Sequence, residues 1–268
     1  MTESAADLRS PDQLAADTRQ ELRDLILALA DSKRILGIRY ADWVLGAPEL
    51  EANIAASSIS QDEWGHSRIL YALLKDFGDD PQKLEHERQA ADYCSIEALD
   101  RPLGTWPEFV VVNAVVDTAL SVQLNALAAS SYAPLRQRVQ KQLEEERFHA
   151  GHGAAWLRRL GTASDAARAA TQSALEERWP AVIHWFGPDE LGAGMKAAGL
   201  IDATGAELRN RFFQRARPTI ETSGLKTPRL DLDFSVWNTS RRRSNPDGPD
   251  PEAVARARGD RNRAFLMD

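Results

Sequence analysis

One cysteine, Cys94, stands alone in 268 residues. That rules out a disulfide framework and any cysteine-built metal site, and it suits a reducing compartment. Basic residues are in the minority as well: Lys and Arg number 33 against 40 Asp and Glu, a formal net charge of −7. With no basic domain, nucleic acid is excluded as a general partner. No apolar run approaches the roughly 20 residues of a membrane span. The N-terminal MTESAADLRSPDQLAAD is polar and acidic, unlike a secretory signal. Internal repeats and low-complexity tracts are missing too. These absences leave a cytoplasmic protein with no membrane partner, whose 43% hydrophobic content suffices for one sizeable core.

What is present is mostly helix. A Pro-free helical pattern runs from about Ala15 to Leu45 and stops at Gly46-Ala47-Pro48. Pro48 suits the first turn of a second helix, which runs to Phe77 before Gly78-Asp79-Asp80-Pro81. Residues 81–104 are polar and irregular, with one short helix. A third helix fits 105–131, apolar on most sides and therefore a core helix. Tyr132-Ala133-Pro134 turns the chain into a fourth, ending near Gly161. Two further helices fit before Arg217, and from Pro218 the composition becomes charged and Pro/Gly-rich. The expected organisation is all-α: a disordered lead-in at 1–14, a helical domain at 15–217 built on a four-helix bundle with two additional helices, and an irregular, extended C-terminal arm at 218–268 that covers a surface.

Two short motifs carry chemistry. Glu63-x-x-His66 lies in SQDEWGHSR, and Glu146-x-x-His149 in KQLEEERFHAGH. Residues three apart on a helix share a face, so each motif offers a carboxylate and an imidazole together. Two such helices, plus a carboxylate from each of two others, form the usual ligand set of a di-iron bundle. Against this stands chance occurrence on exposed helix faces. The third helix supplies its carboxylate: Asp117 is the lone acid of VVVNAVVDTALSV and lies as far before a turn centred near 133 as His149 lies after it. An unpaired buried carboxylate is costly, and a core Asp capping a neighbouring helix or pairing with an Arg is the competing reading.

The first helix is different. Positions facing Glu63 and His66 across the turn at 47–48 fall near 29–33, which brings in Asp31 and Lys33. Asp42 sits about ten residues, or ~15 Å, lower and is a poor candidate. The stripe Leu22, Ile26, Leu29, Lys33, Tyr40, Val44 is apolar except at Lys33, whereas Asp31 shares its stripe with Asp24 and Asp42 and reads as more solvated. Lys33 is therefore expected at the metal-facing place, the alternative being a lysine that snorkels to water. With Glu63, Asp117 and Glu146 negative, a buried Lys33 leaves −2, which suits one divalent ion better than two. The count stays open between two irons, one metal, and a site where Lys33 pairs with a carboxylate instead of metal. Iron or manganese fits such N/O donors better than zinc. His152, one turn beyond His149, reads as surface, the alternative being a place behind the metal-facing groups, and no coenzyme A residues are assigned.

These residues resemble a known family: the catalytic, ferritin-like subunit of the bacterial monooxygenase that epoxidises the ring of phenylacetyl-coenzyme A. The resemblance is carried by QDEWGHSRILYAL, VVDTALSVQL, SSYAPLRQRVQKQLEEERFHAGHG, RWPAVIHWFGPDE, ELRNRFF and GLKTPRLDLDFS. The turn GAPELE is similar to the family's structural subunit, which lacks the paired motifs. The resemblance implies a di-iron centre with Glu63, His66, Asp117, Glu146 and His149 as ligands and a glutamate where Lys33 falls. It also implies dioxygen activation on an aromatic acyl-CoA thioester, a separate reductase, and a structural partner within a homo- or hetero-oligomer.

Overall fold

The computed structural model describes residues 7–265. Nine helices form among them: α1 Ala16–Ala41, α2 Leu50–Leu73, α3 Pro81–His86, α4 Trp106–Leu127, α5 Ala133–Ala163, α6 Asp165–His184, α7 Ala193–Ala197, α8 Gly205–Thr222 and α9 Pro251–Arg258. The architecture is an all-α, ferritin-like bundle, and no strand forms among the described residues. Of the lead-in expected to be disordered, residues 1–6 lie outside the described part. Leu8 exchanges backbone hydrogen bonds of 2.8 and 3.0 Å with Ser131 and Ala133, so residues 7–14 pack on the α4–α5 turn.

Local chemistry sets the ends of the bundle helices. Ala47 N donates to Asn53 Oδ1 at 3.0 Å and closes the α1–α2 turn. Thr105 caps α4 by accepting from Glu108 N, and Pro107 and Pro134 occupy the first turns of α4 and α5. The hairpins α1–α2 and α4–α5 pack into the four-helix core, with α6 and α8 laid against α4 and α5. Gly153 lets the second hairpin close: a Cβ there would lie 3.0 Å from the backbone of Ala114.

α4 corrects one expectation. It is long and apolar enough, by composition, to cross a membrane, yet 89% of its apolar window is buried in this fold. Asn113 and Asp117 interrupt the apolar run, and packing on four helices accounts for the rest.

The segment after α8 is irregular apart from α9, which docks on α1 and α3. Its α1 contacts include Arg34 to the Ala257 carbonyl and Arg256 to Asp42. Asp31, expected on a solvated stripe, is fully buried. The chain between α3 and α4 covers it and supplies donors from Arg88 and the Cys94 amide. Burial of that stripe is set by a distant segment, which helical periodicity cannot register.

Candidate metal centre

Four helices each bring charge to one level of the bundle. Lys33 from α1, Glu63 from α2, Asp117 from α4, and Glu146 and His149 from α5 are all at most 2% exposed. One ligand atom from each of Glu63, Asp117, Glu146 and His149 lies within 4.8 Å of the others. The hairpin register expected from sequence places Asp117 and His149 correctly: His149 Nδ1 is 4.0 Å from Asp117 Oδ2 and 3.2 Å from Glu63 Oε1. His66 stands at the edge of this group, its Nδ1 3.4 Å from Glu146 Oε1.

Lys33 points inward. Its ammonium donates to Glu63 Oε1 at 3.0 Å and to Glu146 Oε1 at 2.5 Å, so it spans the carboxylates of both motifs. Burial alone would lower its pKa, but the charges of Glu146, Glu63 and Asp117 outweigh that and raise it above the usual lysine value. Burial would raise Glu146, yet Lys33 and the two histidines hold its carboxyl well below the usual range. At Asp117, burial and the acidic neighbours Glu63 and Glu146 outweigh the opposing charges of His149 and Lys33 and push the carboxyl up to about 8. His149 is pushed up to about 10, because Glu63, Asp117 and Glu146 overcome its desolvation.

A second ring of residues, missed from sequence, fixes these groups. His66 Nε2 bonds Glu145 Oε2 at 2.6 Å, and His149 Nε2 bonds Asp62 Oδ2 at 3.2 Å. The two braces are swapped: each imidazole is held by the acid that precedes the glutamate of the opposite motif. With Nε2–H donating outward, Nδ1 is the atom of each imidazole that faces the cluster, the one a metal-binding histidine offers once its proton has left. The signal was available, since Asp62-Glu63 and Glu145-Glu146 each double the acid before the spacing of interest. Tyr40 and Asn113 donate to Asp117 Oδ2 at 3.0 and 2.6 Å, and Ser121 donates to Glu146 Oε2 at 3.1 Å. His152 is half-buried and bonds Asn113 Oδ1 at 2.8 Å, which favours the place behind the metal-facing groups over the surface one; burial and His149 lower its pKa. Its place one turn beyond His149 turns it toward Asp117's partner.

The donor chemistry fits a divalent cation. Glu63 Oε2, Asp117 Oδ1, His66 Nδ1 and His149 Nδ1 are buried without a hydrogen-bond partner. Unpartnered buried polar atoms are rare and demand a reason. Two carboxylate oxygens and an imidazole nitrogen from three helices form a compact N/O set suited to iron or manganese. A cavity of about 150 Å³ reaches Glu146 from between Ser121, Asn125, Arg147 and Arg215.

Comparison with known proteins supplies the context. A family model described as phenylacetic acid catabolic protein matches residues 1–239. Two different subunits of the 1,2-phenylacetyl-CoA epoxidase of Escherichia coli (strain K12) are similar to this chain. One is 29% identical over 226 residues, covering 81% of this chain and 72% of its own length. The other is 25% identical over 182 residues, covering 67% and 73% respectively. Since the likeness extends to two components of one enzyme, the role of this chain has to be read from the site itself.

Proposed function

Because the chain belongs to the phenylacetic acid catabolic protein family, we propose that it is an iron-dependent, dioxygen-activating oxidoreductase of the monooxygenase type. Its substrate is an aromatic or related acyl-CoA thioester, and it works with a separate reductase and a partner subunit. Similarity to two epoxidase subunits supports the reaction class and the thioester. One observation carries the reading: the convergence of Glu63, Asp117, Glu146 and His149 within 4.8 Å, with a buried polar atom lacking a hydrogen-bond partner on three of them.

Glu63, Asp117 and His149 would hold the ion, with Glu146 alongside; His66 would be a ligand only where a second ion binds. Ferrous iron, when bound there, would pass electrons to dioxygen, with the reductase supplying the pair that each turnover consumes. The protein's own groups do the rest. Lys33 neutralises Glu63 and Glu146 and takes the place of a second cation, standing where the resembled family has a glutamate. Asp62 and Glu145 hold the imidazoles in one tautomer. Asp117, with a pKa near 8 before metal binds, stores a proton at Oδ1 that ligation releases. The apolar faces of α1 and α4 keep water from the centre.

A second reading, a non-catalytic subunit of such an enzyme, is favoured by one observation. Lys33 already pairs with Glu63 and Glu146, which balances the cluster without metal. Metal analysis of protein purified without chelators separates the two. The first reading expects about one iron or manganese per chain after anaerobic Fe(II) loading, and oxygen uptake that depends on an acyl-CoA. No bound iron or manganese under either condition defeats it and leaves the second.

A further inference from the structure

The arm after α8 delivers three consecutive arginines into the fold. Arg241 donates to the Tyr93 carbonyl at 3.0 Å, and Arg243 to the Ser95 carbonyl at 3.2 Å and to Asp100. Arg242, between them, is treated differently. Its backbone is left-handed, with φ at 52°, the one such non-glycine residue described. That conformation is uncommon for a side chain of this size and persists only where the surroundings enforce it. The side chain is 4% exposed, yet no carboxylate among the described residues lies within ion-pair distance of it. Its contacts are Gln123 Oε1 at 3.5 Å and the face of Trp185 at 5.0 Å, and its Nε has no partner. Burial pushes the guanidinium down to about 10, with only the charge of Glu21 acting against that.

Arg242 lines a cavity of about 350 Å³, within the range of small-ligand pockets. Leu25 and Leu191 form its apolar part, and Asp17, Glu21 and Asp24 on α1 form an acidic wall. Glu21 spends one oxygen on the Gly192 amide at 2.9 Å, and Asp24 is held by Gln20 and Arg23. Asp17 is exposed and has no hydrogen-bond partner among the described residues. A phosphate or a dicarboxylate would be repelled by this wall, and a simple amine would leave Arg242 without an acceptor. Only a ligand with one charge of each sign satisfies both ends. We propose that this cavity binds a small zwitterionic amino acid, its carboxylate on Arg242 and its ammonium on the Asp17–Asp24 wall. The site is distinct from the metal centre: Glu21 and Lys33 are twelve residues apart on α1, about 18 Å along the axis.

Calorimetric titration of the full chain with glycine, β-alanine, γ-aminobutyrate and 6-aminohexanoate tests this, because the series varies the separation of the two charges. Acetate and propylamine serve as half-ligands. One length should bind, each half-ligand should bind at least about tenfold more weakly, and Asp17→Asn should weaken the zwitterion about tenfold. Arg242→Gln should abolish binding. Asp17 is exposed, so Asp17→Asn keeps the test decisive if Arg242→Gln does not fold. No heat from any zwitterion at about 10 mM, half-ligands that bind equally well, or unchanged binding by Asp17→Asn would each overturn the proposal.

Discussion

Asp31 and Lys33 lie two residues apart on α1, both charged and both fully buried, and the fold completes them in opposite ways. Asp31 accepts from the Tyr71 hydroxyl at 2.6 Å, from Arg88 at 2.9 Å with a second Arg88 contact, and from the Cys94 amide at 2.8 Å. Both of its oxygens are filled, and its neighbours bend to it: burial and the Asp31 charge push the Cys94 thiol up to about 12. Lys33 also finds its partners, yet around it four ligand atoms of Glu63, His66, Asp117 and His149 stay unpartnered. A closed cluster holds the segment before α4 onto α1. An open one keeps lone pairs for something else. Burial of charge is common to both, so it marks neither as functional; the unfilled valence does.

The largest effect should come from opening the closed cluster. Asp31→Ala strands a buried guanidinium and should cost about 3–5 kcal/mol in urea unfolding, while metal content stays at the wild-type level. A loss under about 0.5 kcal/mol would break the comparison, since Asp31 would then be an ordinary surface-like charge. Lys33→Met strands two carboxylates, and the metal-free protein should lose stability on a similar scale of about 3–5 kcal/mol. The difference lies in rescue. Fe(II) or Mn(II) should restore the Lys33 variant by mass action, and binding should rise from about one ion per chain toward two. Neither ion should help Asp31→Ala.

The contrast also marks how far the sequence could be read. Equal distance from the α4–α5 turn sufficed to bring Asp117 level with His149, because a hairpin's register is local. The apolar stripe on α1 sufficed to turn Lys33 inward, for the same reason. Asp31 was misjudged because its cover comes from Arg88 and Cys94, more than fifty residues away, and nothing in helical periodicity carries that. The braces from Asp62 and Glu145 went unread although both acids adjoin the motifs. Their partners sit on the opposite helix, so only the pairing of α2 with α5 makes them visible. Arg242 was hidden for the plainest reason: an irregular arm has no period to analyse.

Acidity gives a smaller, graded test. In the metal-free protein Asp117 titrates near 8 and His149 near 10, both raised above their ordinary values. Stability from these two groups is therefore fully present below the unfolded-state pKa values, 3.8 and 6.5. It is lost as pH rises through about 8 and then about 10. Urea midpoints of metal-free protein should fall between pH 6 and 10. Both protons must leave before Asp117 and His149 can ligate, so apparent metal affinity should rise over the same interval, by up to about tenfold per proton per pH unit. Affinity that is flat with pH would mean that the ion takes neither group.

The finest test lies within the open cluster, between its two braces. Asp62→Asn and Glu145→Gln each replace an acceptor for an imidazole N–H by an amide of the same shape. The amide oxygen still accepts but carries no charge, and mutating such a partner typically costs about 10–100-fold in metal affinity. The Glu145–His66 bond is the shorter, 2.6 Å against 3.2 Å for Asp62–His149, so hydrogen bonding alone would rank Glu145→Gln as the worse change. The ligand geometry ranks them the other way, because His149 belongs to the group that converges within 4.8 Å and His66 does not. With Lys33 in place of a second cation, Asp62→Asn should weaken binding and Glu145→Gln should leave it nearly unchanged, as read by competition with a metal-sensitive dye. Equal losses would make His66 a ligand as well, and the centre would then hold two ions in spite of Lys33.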